Sequence, residues 1–312
     1  MIRLAILLSC FLSGSLAEAA TVTPLVDVTW IKANGVGDGR VIVDLRGKRA
    51  YLGGHIPGAV NTDYGRDGWR VRHKGVAGLF PQDEKSRVRL TTAIGKLGID
   101  NDSHVILVAP GYGAGDMGIA TRIYWTFKVL GHDRVSILDG GMAAYLYERV
   151  ADNGTPLNPL QPGPVPVAAK KFVAEIREDM LIGRSEVEGS LSRGIEALDA
   201  RPNAQYIGLH KSGQVRRAGT LPGAKSVPGE WLTNNGGGVF QKKSALAQLF
   251  DIAGSQRDQE LFAFCNTGHW ASLTWFAASE ILGNKKAKMY DGSLADWTMK
   301  PDAPVEQKIR LN

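Results

Sequence analysis

Cys265 opens the run Cys265-Asn266-Thr267-Gly268-His269-Trp270-Ala271-Ser272, directly after the apolar stretch Leu261-Phe262-Ala263-Phe264. An apolar strand, a Cys-opened loop with glycine at its centre and then a helical pattern describe a thiolate held among backbone amides. Such a group attacks an electrophile or carries one, splitting a hard transfer into two easier steps. A free thiol titrates near pH ~8.5, so ionisation at neutral pH needs help. Here the amides of Asn266 to Ser272 and the positive end of the following helix supply it, and Gly268 gives the backbone the freedom to curve around the sulfur. The competing reading is an inert cysteine packed as a small hydrophobe; a glycine-centred strand–helix loop favours the reactive one. A phosphatase loop would need Arg six positions after the Cys to clamp phosphate oxygens. That position is Ala271, which disfavours phosphatase chemistry.

The elements that must position this loop occur twice. Val41-Ile42-Val43-Asp44-Leu45-Arg46 in the first half matches Ile195-Glu196-Ala197-Leu198-Asp199-Ala200-Arg201 in the second. His55-Ile56-Pro57-Gly58-Ala59 matches Thr220-Leu221-Pro222-Gly223-Ala224, and Leu138-Asp139-Gly140-Gly141 matches Tyr290-Asp291-Gly292-Ser293. Asp44 to Asp139 is 95 residues and Asp199 to Asp291 is 92, so the halves share one plan. Each half alternates buried-strand patterns (105–109 and 135–138; 261–264 and 287–290) with helical spacing (119–130, stopped by Gly131; 270–282, stopped by Gly283). That alternation predicts parallel α/β sheets. Ligands of such sheets sit beyond the carboxyl ends of strands, where Cys265 lies. Prolines 156, 159, 162, 164 and 166 make the stretch between the halves extended.

The strand-Asp-x-Arg, Pro-Gly-Ala and Asp-Gly-Gly motifs, the linker and the Cys-x-x-Gly-x-x-Ala loop together resemble the tandem-domain rhodanese family of sulfurtransferases, over nearly the whole chain. The resemblance implies two rhodanese-like domains, each a mainly parallel sheet flanked by helices, with the site between them and the nucleophile in the C-terminal copy. The expected division is a leader at 1–20, an N-terminal domain at 21–150, a linker at 151–170 and a catalytic domain at 171–312. The N-terminal loop Pro110-Gly111-Tyr112-Gly113-Ala114-Gly115-Asp116 has no thiol, so that domain forms part of the cleft wall. The family moves sulfane sulfur from thiosulfate or 3-mercaptopyruvate to cyanide or a thiol. Thiosulfate-type members carry basic residues where Asn266 and Thr267 stand. Mercaptopyruvate-type members carry a small residue where Asn266 stands. Trp270 replaces a hydroxyl residue, Gln205 an arginine and Thr220 a histidine. Thiosulfate is the expected donor and 3-mercaptopyruvate the alternative. A persulfide carrier that does not turn over and an anion-binding protein with an inert thiol are further alternatives.

Individual residues divide as follows. His269 donates to an anionic donor or stabilises the thiolate when protonated, or else faces solvent at the rim. Trp270 packs against the N-terminal domain or shields the persulfide. Arg201 is an ion-pair partner or a donor ligand. Lys211, Arg216 and Arg217, with His210, lie in an insertion of the second half (21 residues from Asp199 to Thr220, against 11 from Asp44 to His55). They form a solvated loop or stand in for the missing basic residues. Arg66, Arg70 and Arg72, near Trp69, could contribute from the opposite domain. Asp44, Asp139, Asp199 and Asp291 recur in both halves and are read as turn caps.

Composition bounds the rest. The 312 residues allow two domains, and 22% charged residues make global disorder untenable. Arg3, the apolar run Leu4–Leu12 and Ala17-Glu18-Ala19 read as a cleaved signal peptide, implying export to a periplasm. Leu7-Leu8-Ser9-Cys10 loosely resembles a lipidation signal, but its apolar run is short. No later stretch reaches the roughly 20 apolar residues of a membrane span. Cys10 and Cys265 are the only cysteines, so the mature chain forms no internal disulfide and Cys265 is a candidate reactive thiol. Net charge is +6 without a basic run, which suits small anions rather than nucleic acid. No Cys/His cluster or phosphate loop implies a metal or cofactor. A monomer is expected.

Overall fold

The computed structural model describes residues 22–147 and 158–309. The leader, Cys10 and Pro156 lie outside the described residues. The first half contains β1 (Leu25–Val26), β2 (Arg40–Asp44), β3 (Val60–Asn61), the hairpin β4 (Val71–His73) and β5 (Val76–Leu79), β6 (His104–Val108) and β7 (Val135–Leu138). The second contains β8 (Leu181–Ile182), β9 (Glu196–Asp199), β10 (Lys225–Ser226), β11 (Leu261–Phe264) and β12 (Ala287–Tyr290). The two main sheets run β1-β7-β6-β2-β3 and β8-β12-β11-β9-β10, so their orders correspond strand for strand. All pairings within them are parallel.

Among the described residues each half has five α-helices. They are α1 (Val28–Asn34), α2 (Lys48–Gly53), α3 (Glu84–Lys96), α4 (Ala114–Val129) and α5 (Gly141–Tyr147), then α6 (Arg184–Ser192), α7 (Asn203–Tyr206), α8 (Lys243–Ile252), α9 (His269–Phe276) and α10 (Ser293–Trp297). The central strands β6 and β11 are buried at every residue, as unbroken apolar runs require. Helix α4 begins five residues before its apolar spacing does and closes on Gly131, whose φ of 83° suits the position after a helix end. The helix expected over 270–282 is divided. After Phe276 a π-helical turn spans Ala277–Ile281, and Leu282 N–H reaches back to Ala277 O.

The described part of the linker, 158–170, is bound to the first half. His55 and Gln161 exchange backbone hydrogen bonds (3.1 and 2.9 Å), and Lys170 N–H meets Gly95 O (2.9 Å). One apolar core runs through both halves, joining Leu107, Trp125 and Phe127 to Leu198, Leu246 and Phe276. Helix α4 crosses α9 at small residues: Thr121 Oγ1 lies 2.8 Å from Ser272 Oγ, and a Cβ on Gly118 would fall 2.7 Å from His269 Nε2. The two helices that follow the central strands thus pack on each other, and this contact carries the Cys265 loop against the N-terminal half.

Candidate active site

Strand β11 ends at Phe264 and α9 begins at His269, so Cys265 sits at a carboxyl end of the sheet and at the foot of a helix. Register identifies its counterpart. Asp199 pairs with Phe264 as Asp44 pairs with Val108, and Leu294 N–H donates to Cys265 O as Met142 N–H donates to Ala109 O. Ala109, rather than Pro110, therefore occupies the cysteine position in the first half.

The loop is fixed from behind by Ser293. Its Oγ accepts Cys265 N–H (3.0 Å) and Gly268 N–H (3.1 Å), donates to Tyr290 O (2.8 Å) and lies 3.9 Å from Cys265 Sγ. Ser293 has φ of 50°, a region a β-carbon disfavours. The equivalent residue in the first half is Gly141, with φ of 57°. The strain is borne where the hydroxyl has two amides to hold. Among the described residues, the N–H groups of Asn266, Thr267, His269, Trp270 and Ala271 find no acceptor within the chain. The last three belong to the first turn of α9, where intrahelical acceptors are absent.

The N-terminal half supplies the other wall. Arg122 of α4 is fully buried. It forms an ion pair with Asp291, donates to Gly268 O (3.4 Å) and Gly78 O (3.3 Å), and lies 4.7 Å from the centre of the Trp125 ring. Asp291 Oδ2 also accepts Phe80 N–H across the interface (2.7 Å). Gly268 has φ of 78°, and a Cβ there would lie 2.3 Å from Arg122 Nη1, so no larger residue fits. Arg70 donates through Nη2 to Thr267 O and Oγ1 (both 3.2 Å), through Nε to Gly78 O (3.2 Å), and covers the Tyr64 ring at 5.1 Å. Gly78 leaves room for it, since a Cβ would fall 1.9 Å from Arg70 Nη2.

His269 Nε2 faces Gly115 O (2.9 Å), so it carries the proton, and Nδ1 accepts the Tyr64 hydroxyl (3.3 Å). Burial, with the nearby Arg70 and Arg122, lowers its pKa to about 4. At neutral pH His269 is an uncharged strut between domains, not a protonated partner of the thiolate. Burial raises the Tyr64 pKa, with smaller upward contributions from Asp291 and Cys265, so the phenol stays protonated as a donor. Trp270 packs tightly over Gly229 of its own half and lies beside Gly115 of the other.

Cys265 is 1% exposed, while Asn266, Thr267, His269 and Trp270 are half-buried and Ala271 and Ser272 are buried. Asn266 Nδ2 donates to Gln205 Oε1 (2.9 Å). Arg201 is fully buried and binds Asp199 through Nε and Nη2 (2.9 and 2.6 Å) and Gly219 O (2.7 Å). Arg46 treats Asp44 and Gly54 in the same way. A feature built in both halves is scaffold, so Arg201 is an ion-pair partner. Lys211 is exposed. Arg216 N–H meets Thr298 Oγ1 (3.0 Å), its Nε meets Met299 Sδ (3.0 Å), and Arg217 meets Lys300 O (2.9 Å). These contacts tie the insertion to the segment after α10 rather than to the Cys265 loop. Asp139 and Asp291 act across the interface rather than as local caps: Asp139 Oδ1 accepts Phe240 N–H (2.8 Å), the mirror of Asp291 with Phe80.

Sequence reasoning did not single out Ser293, Arg122 or Tyr64. The aligned Asp-Gly-Gly and Asp-Gly-Ser segments held the signal for Ser293, and a lone arginine within the apolar spacing of α4 held that for Arg122. Of the three arginines near Trp69, Arg70 alone reaches the loop; Arg66 and Arg72 are exposed.

Comparison with known proteins agrees with this geometry. The rhodanese-like domain model matches twice, at residues 27–148 and 184–300. A provisionally named thiosulfate sulfurtransferase of Saccharopolyspora erythraea is 29% identical over 90% of this chain and 95% of its own. The sulfur carrier protein TtuD of Thermus thermophilus is 29% identical over 82% of this chain and 86% of its own. Two solved structures share the fold. SseA of Escherichia coli, a 3-mercaptopyruvate sulfurtransferase, superposes with TM-score 0.72 at 24% identity over 87% of this chain and 99% of its own. The anaerobic ergothioneine biosynthesis enzyme of Chlorobium limicola gives 0.73 at 21%, over 92% and 71%. With one matched domain in each half and a cysteine loop in the second alone, the chain belongs to the rhodanese family of sulfurtransferases, as a member with two domains in tandem.

Proposed function

We propose that the chain transfers sulfane sulfur from thiosulfate to a thiophilic acceptor, cyanide or a thiol, through a persulfide on Cys265. The Cys265 thiolate attacks the outer sulfur of the donor, that sulfur's bond to the inner sulfur breaks, and sulfite leaves with the electron pair. The acceptor then attacks the outer sulfur of the persulfide, giving thiocyanate when it is cyanide and restoring the thiolate. No outside oxidant or reductant enters.

The observation that carries this reading is the loop itself. Cys265 stands at the foot of α9, and Ser293 holds two amides of the loop while five others keep their donors free. Unused N–H donors at the foot of a helix favour the negative charge of a bound donor. Arg70 supports an anionic donor. It brings a guanidinium from the other domain to Thr267, one of the places where a basic loop residue is missing, and burial has left His269 uncharged. At 1% exposure the sulfur is enclosed in this conformation, so turnover requires the site to open to the donor.

The same burial favours a second reading, a carrier that shelters its persulfide and delivers it to one partner. The test is initial rates with thiosulfate and with 3-mercaptopyruvate on the same preparation, with cyanide as acceptor, beside mass spectrometry of Cys265. Turnover with thiosulfate, a one-sulfur mass gain on Cys265 and loss of both in Cys265→Ser are expected. A mercaptopyruvate preference overturns the donor assignment. A persulfide without repeated turnover leaves the carrier.

A further inference from the structure

We propose that Tyr64 is a positioning residue for sulfur transfer, its ring fixing the plane of the Arg70 guanidinium, a role that rests on the reading of Arg70 as the cation that receives the donor. The turn after β3 is built around Tyr64. Asp63 Oδ1 accepts the N–H groups of Gly65 and Arg66 (2.8 and 3.2 Å). Asp67 Oδ2 accepts Asp63 N–H and the Thr62 hydroxyl (2.7 and 2.8 Å). Two carboxylates thus bind the backbone on both sides of Tyr64, as aspartates do in turns. Buried Trp69 ties its indole N–H to Thr62 Oγ1 (2.9 Å), and the next residue, Arg70, returns over the Tyr64 ring. The second half has no such ring. Val227 N–H donates to Asp199 O as Thr62 N–H does to Asp44 O, so Gly229 stands two residues on, where the first half has Tyr64.

The bonds of Arg70 show what the ring adds. Among the described residues Arg70 has no carboxylate partner. Nε donates to Gly78 O and Nη2 to Thr267 O and Oγ1, while Nη1 finds no acceptor. A guanidinium is planar, and its donors recognise an oxyanion within that plane. Nε and Nη2 lie along one edge, so their bonds hold that edge and leave the group able to tilt about it. The Tyr64 ring, 5.1 Å from the guanidinium carbon, lies against the face and resists the tilt. The ring is itself anchored, since its hydroxyl meets His269 Nδ1 (3.3 Å). Edge and face together leave Nη1 as the part of Arg70 with unused donors in a fixed direction.

Steady-state rates with thiosulfate and with 3-mercaptopyruvate, cyanide being the acceptor, test this on wild type, Tyr64→Phe, Tyr64→Leu, Arg70→Met and the double variant Tyr64→Leu/Arg70→Met. Tyr64→Leu removes the face and is expected to raise KM about three- to tenfold with a smaller change in kcat. Tyr64→Phe keeps the face and is expected to raise KM less than about twofold. In the Arg70→Met background Tyr64→Leu is expected to raise KM no further. A residue that only packed the loop would instead lower kcat and add its effect to that of Arg70→Met. Should Tyr64→Leu fail to fold, pentafluorophenylalanine at position 64 keeps the shape and reverses the ring's quadrupole, with the same rise in KM expected. A KM raised by Arg70→Met but not by Tyr64→Leu, an additive double variant, or an equal rise in Tyr64→Phe would overturn the role of the ring alone. A KM unmoved by Arg70→Met, or no turnover with either donor, would overturn the reading of Arg70 beneath it.

Discussion

Ser293 offers a perturbation for which the molecule contains its own control. Gly141 occupies the same place in the first half with nearly the same φ, so Ser293→Gly copies a backbone this fold already uses. Ser293→Ala keeps the β-carbon and deletes only the hydroxyl. Either change leaves Cys265 N–H and Gly268 N–H buried without their acceptor. At about 1–2 kcal/mol for each, the loss is about 2–4 kcal/mol. In Ser293→Gly the left-handed conformation loses its penalty of about 1–2 kcal/mol, partly offset by about 0.5–1 kcal/mol of extra entropy in the unfolded chain. The expected order of stability is wild type, then Gly, then Ala, with the two variants about 1 kcal/mol apart. Urea unfolding resolves that difference. Activity should not follow stability. Both variants free the amides that set the loop, and a misplacement near 1 Å costs about a hundredfold in rate. Sulfur transfer under native conditions should therefore fall by one to two orders of magnitude in both. A Gly variant as active as wild type, or an Ala variant as stable, would refute the argument that strain is kept here for the hydroxyl.

Four further outcomes concern Arg122, His269, Arg70 and Arg201. Arg122→Met leaves Asp291 buried and unpaired and should cost about 3–5 kcal/mol; adding Asp291→Asn should recover part of it, and strict additivity in the double-mutant cycle would remove the ion pair from the account. His269 titrates near 4 in the fold against an unfolded value near ~6.5. Between those values the unfolded chain binds more protons, so stability is lost as pH falls from 6.5 to 4; His269→Gln should remove about 2–3 kcal/mol of that loss, and an unchanged pH–stability curve would contradict the burial argument. Arg70→Met should raise KM for thiosulfate about tenfold or more with a smaller change in kcat. Arg201→Met should instead cost about 3–5 kcal/mol of stability with KM unmoved in the folded fraction, and steady-state kinetics beside thermal unfolding distinguishes the two arginines.

What the sequence made legible was what is repeated and local. Strands β7, β11 and β12 fall on the residues their apolar runs indicated, because a short buried run between turn residues has few alternatives. Helix α4 was read late because Gly115 and Asp116 interrupt its apolar spacing. The break after Phe276 left no mark, since Trp270–Leu282 has helical spacing throughout. The β4–β5 hairpin did carry a signal, Lys74-Gly75 between Val71 and Val76. Both residues have positive φ, as a two-residue hairpin turn requires. Contacts between the halves were less visible. Asp139 and Asp291 look like turn residues, yet their carboxylates cross to Phe240 and Phe80, more than a hundred positions from one and two hundred from the other.

The duplication separates scaffold from chemistry more sharply than either half could alone. A feature present in both halves cannot account for an activity located in one. The Asp-x-Arg pairs, Asp44 with Arg46 and Asp199 with Arg201, are of this kind, and so are the aspartates that cross the interface. Three of the differences lie together at the Cys265 loop. Ala109 is replaced by Cys265, and Gly141 by Ser293. Asp291 meets a buried arginine, whereas Asp139 has no ion pair among the described residues. Each difference adds a polar function where its counterpart has none, at a cost in strain or in burial of charge that the other half avoids. The fold tolerates both versions of every position, so stability alone does not explain the costly one. The thiol beside them does, because Ser293 and the Arg122–Asp291 pair all act on the backbone of the same four residues, Cys265 to Gly268.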